Sequence, residues 1–222
     1  SVAAPSKTYD GTTTAAPTLT ITAGLVGCEM VTATGTATFN SKDVATANLV
    51  TVNSTALADG SNGGIASNYS LAAGETVAAN IGKAHLTVTA DNKSRLYGEA
   101  NPALTSTVSG FVNGETASTA AGFTGAGNAT PTASNTTNVG TAAITAGAGT
   151  LAASNYDFAT LVNGNLTITA RPVTVTADAQ SKTYGAADPL LTYAIGATAA
   201  GAGLVNGDTL AGALARAAGE AV

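Results

Sequence analysis

Apolar and polar positions alternate strictly over several short stretches of this chain. Leu86, Val88 and Ala90 are separated by Thr87 and Thr89, and the same order recurs in Leu19-Thr20-Ile21-Thr22, Leu166-Thr167-Ile168-Thr169 and Val173-Thr174-Val175-Thr176. A period of two puts apolar groups on one face of a strand and hydroxyls on the other. Threonine suits the outer face, because its branched Cβ fits the pleat while its hydroxyl tolerates water. Turn formers separate these stretches: Asp10-Gly11, Asn62-Gly63-Gly64, Asn113-Gly114, Asn163-Gly164 and Asn206-Gly207. Helical patterning is confined to Thr209–Arg216, which reads equally as two helical turns or as a strand. The pattern predicts an all-β chain of small β-sandwich (Ig-like) modules, with β-grasp-like modules as the alternative.

The same elements return at a fixed interval. Ser6-Lys7-Thr8-Tyr9 recurs as Ser181-Lys182-Thr183-Tyr184, with the near-copy Ser94-Arg95-Leu96-Tyr97 between, and the three tyrosines lie 88 and 87 residues apart. Leu86–Asp91 matches Val173–Asp178, Asn101-Pro102 matches Asp188-Pro189, and Ala66-Ser67-Asn68-Tyr69 matches Ala153-Ser154-Asn155-Tyr156. Three tandem modules follow, at residues 1–84, 85–171 and 172–222, the last of them incomplete. Alternation resumes almost at once across each joint, which predicts modules strung into an extended rod. The third module has no counterpart of the Asn-Tyr segment, so its open edges are expected to take strands from further copies or from the rest of a longer chain. Copying one module supplies length or surface more readily than a catalytic site, which needs unlike groups converging once.

Composition narrows the function classes. Charged residues are 9% of the 222, the net charge is −5, and the eight Lys and Arg are scattered, so phosphate neutralisation on a nucleic acid has no basis. No apolar stretch approaches the ~20 residues of a membrane span. No signal peptide is visible and the first residue is not Met, as expected of a chain whose leader is removed or lies upstream. With one His and one Cys, triads and zinc sites lack material. Cys28 is expected to be a small buried hydrophobe, and His85 a surface or boundary residue.

The remaining candidates each meet a simpler reading. Asp59 and Asn62 offer oxygen ligands on a flexible loop, and Asp91 and Asp178 recur at module joints; all four are candidate calcium ligands, set against ordinary turns. Tyr69 and Tyr156 occupy equivalent positions and are read either as ligand contacts for host or surface glycans or protein, or as core residues at a strand start. Lys7 and Lys182 are equivalent, but Arg95 at the middle position rules out a general lysine–asparagine cross-link. A cation stem packing over the following tyrosine ring is expected instead. The Thr-x-Thr strands lack the short regular coils of an ice-binding face.

Lys7-Thr8-Tyr9-Asp10-Gly11-Thr12 heads a first module that resembles the YDG domain. The second, with Tyr97-Gly98, Asn101-Pro102, Val112-Asn113-Gly114-Glu115, Val139-Gly140, Asn155-Tyr156 and Gly164-Asn165-Leu166-Thr167-Ile168, resembles the MBG (mostly beta, glycine-rich) repeats. So does the third, with Tyr184-Gly185, Asp188-Pro189 and Val205-Asn206-Gly207-Asp208. The resemblance covers essentially all of the chain. It implies a segment of a large secreted bacterial surface protein, of the filamentous-haemagglutinin-like adhesin kind, located outside the cell. It implies no catalytic residues, and no cofactor is expected beyond the candidate calcium ligands named above. The expected function is a stalk or a self-assembling filament subunit; the alternative is a glycan- or protein-binding adhesive module.

Overall fold

The computed structural model describes residues 1–219. The chain is all-β, as the alternation predicts, and among these residues the one helix is the 3-10 turn Ala66–Asn68. A β-grasp packing of a helix on a sheet therefore has no helix to use here. The early strands are β1 (Val2–Ala3), β2 (Lys7–Thr8), β3 (Thr14–Ala15), β4 (Thr18–Leu19), β5 (Val31–Phe39), β6 (Leu49–Asp59), β7 (Thr76–Ala78) and β8 (Ile81–Gly82). Then come β9 (Ala84–Ala90), β10 (Lys93–Leu96), β11 (Ser106–Ser109), β12 (Asn128–Pro131) and β13 (Gly140–Gly147). The last four are β14 (Tyr156–Val162), β15 (Gly164–Thr169), β16 (Val175–Ala177) and β17 (Tyr193–Ile195).

These strands gather into two compact units that are discontinuous in sequence. The first contains residues 1–89, 107–128 and 147–162; the second contains 90–106, 129–146 and 163 onward. Segments of the second repeat thus contribute to both.

In the first unit, β3-β5-β6-β7 form one sheet around the long β5–β6 hairpin, in which Val31 faces Asp59 and Phe39 faces Val50. β1 pairs with β4, β2 lies parallel to β8, and β11-β9-β14 form a further sheet in which β9 and β14 are parallel. Its core is built from Tyr9, Phe39, Val50, Ile81, Leu86 and Tyr156, with Phe111, Phe123 and Phe158 packed against them. The alternation in β9 does what its sequence predicts: Leu86 and Val88 are buried, while Thr87 and Thr89 are not.

The second unit holds the sheet β10-β15-β13-β12 and the pair β16-β17. Ile144, Leu166 and Ile168 fill its core, with Tyr97 and Leu104 alongside. The parallel pairing of β10 with β15, Arg95 opposite Ile168, repeats the pairing of Lys7 opposite Ile81 in the first unit. The repeat is therefore three-dimensional as well as sequential.

Three expectations are corrected at this level. Thr209–Arg216 forms neither helix nor strand; four alanines and glycines in eight residues provide little apolar surface to dock either element. Leu19–Thr22 reduces to β4, which ends at Leu19. Val173-Thr174 remains outside β16, which starts at Val175.

Candidate functional site

The most organised side-chain cluster in the chain is a pair of tyrosines sharing one carboxylate. In the first unit, Tyr9 donates its hydroxyl to Glu115 Oε1 at 2.6 Å and Tyr156 donates to Glu115 Oε2 at 2.6 Å. The two rings meet edge to face with centroids 5.3 Å apart. Tyr156 is completely buried and Tyr9 is 2% exposed. Both oxygens of Glu115 thus accept a short charge-assisted bond of the strong kind.

Local sequence explains how each member arrives. Tyr9 follows β2, and its N–H bonds Gly82 O at 2.8 Å. The turn after it is fixed by Lys7, whose Nζ donates to Asp10 at 2.8 Å and to Thr12 O at 2.9 Å, while Asp10 Oδ1 accepts the Thr12 N–H at 2.9 Å. Glu115 sits at the end of a tight turn in which Asn113 takes φ 52° and Glu115 N–H bonds Val112 O at 3.0 Å. The two turns abut: a Cβ on Gly11, at φ 79°, would lie 2.6 Å from Asn113 Cβ, so only glycine fits. Tyr156 opens β14, where its oxygen also accepts the Val112 N–H at 3.2 Å.

Asn155, fully buried beside Tyr156, clamps the β5–β6 loop. It accepts the Val44 N–H at 3.0 Å and donates to Asp43 Oδ1 at 2.9 Å. That amide bond, more than neighbouring Lys42, holds the Asp43 carboxyl below its ordinary range. Burial pushes the Tyr156 phenol up to about 12, with the Glu115 carboxylate acting in the same direction. Tyr9 is raised for the same two reasons, burial foremost. Neutral phenols saturating a carboxylate form a lock; they provide neither a poised base nor an open acceptor.

The same motif occurs a second time in the first unit. Tyr69 donates its hydroxyl to Glu29 Oε2 and accepts the Val26 N–H at 3.1 Å, and the Glu29 N–H closes the turn onto Val26 O at 3.1 Å. Val26, Glu29 and Tyr69 correspond to Val112, Glu115 and Tyr156. The difference lies in surroundings: among the described residues no second tyrosine bonds Glu29, and Val26 is 71% exposed. The Glu29 bond raises the Tyr69 phenol above its ordinary value.

Each candidate calcium ligand makes a hydrogen bond within the chain. Asp59 Oδ1 accepts the Ala66 N–H at 2.7 Å, and Asn62, at φ 57°, donates Nδ2 to Cys28 O at 3.0 Å. Asp91 accepts the Thr105 hydroxyl, and Asp178 accepts the equivalent Thr192 hydroxyl at 2.7 Å. Among the described residues no group of three or more metal-binding side chains converges.

Of the two tyrosines read as ligand contacts, Tyr156 is a core residue with no surface to offer, and Tyr69 is partly buried on Glu29. His85 is exposed as expected, with Nδ1 2.6 Å from Asp157. Cys28 is a correction: it is exposed, because the turn that carries it lies outside the sheets. The cation stems are also redirected. Lys7 lies over Phe39 rather than Tyr9, and Lys42 takes the position over Tyr9. Arg95, 6% exposed, donates Nε–H to Asn101 Oδ1 at 2.8 Å and also bonds Ser134 O; Lys182 pairs with Asp188 at 2.6 Å, the same contact one repeat later.

Sequence reasoning overlooked Glu29 and Glu115. Their signal was present in the match of Leu25-Val26-Gly27-Cys28-Glu29 to Phe111-Val112-Asn113-Gly114-Glu115, which spaces both carboxylates alike before the Asn-Tyr segment.

The chain belongs to the MBG domain (YGX type) family, matched over residues 86–167 and 173–222, and a YDG domain is matched over residues 1–78. Such domains are consistent with a repeat segment of a surface protein. Among curated proteins and among solved structures none matches the chain. No helix among the described residues is long and apolar enough to cross a membrane.

Proposed function

We propose that this chain is a structural segment of a bacterial extracellular adhesin or surface fibre, in which consecutive repeats are fastened to one another to make a stalk. One observation carries the reading. Glu115 and Tyr156 belong to the second repeat, yet they close on Tyr9 of the first within a single compact unit. Such interleaving resists separation of neighbouring repeats, since pulling them apart breaks two charge-assisted bonds and exposes buried aromatic rings together. The chain performs no catalysis in this reading and needs no metal or cofactor. Its position is extracellular, and its partners are further repeats.

Immunogold electron microscopy of intact cells expressing the parent protein tests this. Gold is expected outside the cell envelope without permeabilisation. Label that appears only after the cells are opened would refute the reading.

A further inference from the structure

The tyrosine–carboxylate junction in the first unit is assembled from two short sequences, and the chain carries a second, unjoined copy of each. Ser6-Lys7-Thr8-Tyr9 provides one side of the junction; Ala153-Ser154-Asn155-Tyr156, with Val112 to Glu115, provides the other. The spare copy of the first is Ser181-Lys182-Thr183-Tyr184, and the spare copy of the second is Ala66-Ser67-Asn68-Tyr69, with Val26 to Glu29.

Both spare halves are already shaped for docking and both are open. Tyr184 is 73% exposed. The turn after it is held by the preceding lysine, as Lys7 holds the turn after Tyr9, with Lys182 bonding Ala186 O at 3.0 Å and Gly185, directly after the tyrosine, at φ 79°. On the other half, Tyr69 and the Val26 N–H hold the same relation as Tyr156 and the Val112 N–H, at 3.1 Å against 3.2 Å. The glycines make the contrast plain. A Cβ on Gly11 would strike Asn113, and one on Gly98 would strike Val205 at 2.3 Å, whereas one on Gly185 or Gly27 meets nothing within 4 Å among the described residues. Val26, Met30 and Ile65 leave apolar surface exposed around Glu29, where the equivalent Val112 packs against a core.

We infer that the Tyr184-Gly185 turn of one copy docks on the Glu29–Tyr69 site of a second copy, with the Tyr184 hydroxyl donating to the free oxygen of Glu29. This deepens the reading of the chain as repeats in series and rests on it. The contact is heterologous, joining the tail of one copy to the head of the next, so it propagates into an open filament. The occupant is fixed by identity of sequence with a junction already formed.

Sedimentation velocity on the full chain tests the inference. Between about 10 μM and 1 mM the wild type is expected to pass from monomer to longer species. Tyr184→Ala removes the tail and Glu29→Ala the head, and each is expected to weaken association by a factor of about 30 or more. Tyr184→Phe, which loses only the hydroxyl, is expected to fall between. Mixing the two blocked variants restores one good head and one good tail, so heterodimers form and nothing longer. A wild type that remains monomeric throughout overturns the inference, and so does a mixture that yields no dimer. Assembly that ignores both substitutions also overturns it, and assigns association to another surface such as the open edge of β16. None of these results alters where gold label falls on intact cells, so the stalk reading stands or falls separately.

Discussion

Tyr156 and Glu115, 41 residues apart in the chain, meet at 2.6 Å inside the first unit. The Tyr156 hydroxyl donates to one Glu115 oxygen and the Tyr9 hydroxyl to the other, so each phenol quiets part of the carboxylate charge. Tyr156→Phe keeps the ring and leaves one Glu115 oxygen short of a donor. A loss of about 1.5–3 kcal/mol is expected, read from urea unfolding followed by far-ultraviolet dichroism. Tyr156→Ala also empties a core position and is expected to cost about 3–5 kcal/mol. Equal losses for the two variants would show that the hydroxyl contributes nothing.

Alkaline pH should weaken the same lock. In the folded chain Tyr156 holds its proton to about 12, against an ordinary value of 10.0 in the unfolded chain. Between those values the unfolded state binds fewer protons, so stability falls as pH rises. The contribution is complete below pH 10 and lost through about 12, and Tyr9 shifts in the same direction. Thermal melts at intervals from pH 8 to pH 12 are expected to decline more steeply for the wild type than for Tyr156→Phe. Parallel curves would remove Tyr156 from the account.

Asp91 and Asp178 are predicted to act through threonine rather than calcium. Each accepts the hydroxyl of a threonine 14 residues later, and the paired backbones add Asp91 N–H to Thr105 O at 3.0 Å and Asp178 N–H to Thr192 O at 2.9 Å. Chelation with EDTA is therefore expected to leave the melting temperature unchanged, while Asp91→Ala lowers stability by about 1 kcal/mol. A melting temperature that rises with added calcium and falls with EDTA would reverse this assignment.

Gly98 combines a left-handed backbone, φ 83°, with a close approach to the Val205 side chain. Gly98→Ala incurs about 1–2 kcal/mol from the backbone alone and forces Val205 aside. Gly185→Ala has the same backbone cost at φ 79° but open space around it. Unfolding of the second unit is thus expected to be hit harder by the first substitution. Hydrogen exchange at Leu166 and Ile168, compared between the two variants, measures the difference.

Much of the secondary structure was legible locally. β9 and β15 follow from alternation over Leu86–Ala90 and Leu166–Thr169, and the Asn-Gly pairs at 113–114 and 206–207 are turns with positive φ at the asparagine. The exposure of Cys28 and the seating of Lys7 over Phe39 are not legible in the sequence, because both depend on which distant residues arrive nearby. Asn40, Asn48 and the long hairpin bring Phe39 under Lys7, and no periodicity encodes that.

The sequence by itself determined the all-β character, the 87-residue repeat, the turns and the family. Only tertiary structure decided that residues 107–128 and 147–162 of the second repeat complete the unit begun by the first. It also decided the fates of two identical Ala-Ser-Asn-Tyr segments, burying Tyr156 completely on Glu115 while leaving Tyr69 half-buried on Glu29. The reason is physical. Local propensity depends on neighbours in the chain and is the same for every copy, whereas burial depends on whether another repeat's tyrosine reaches the shared carboxylate, and that is settled by long-range pairing.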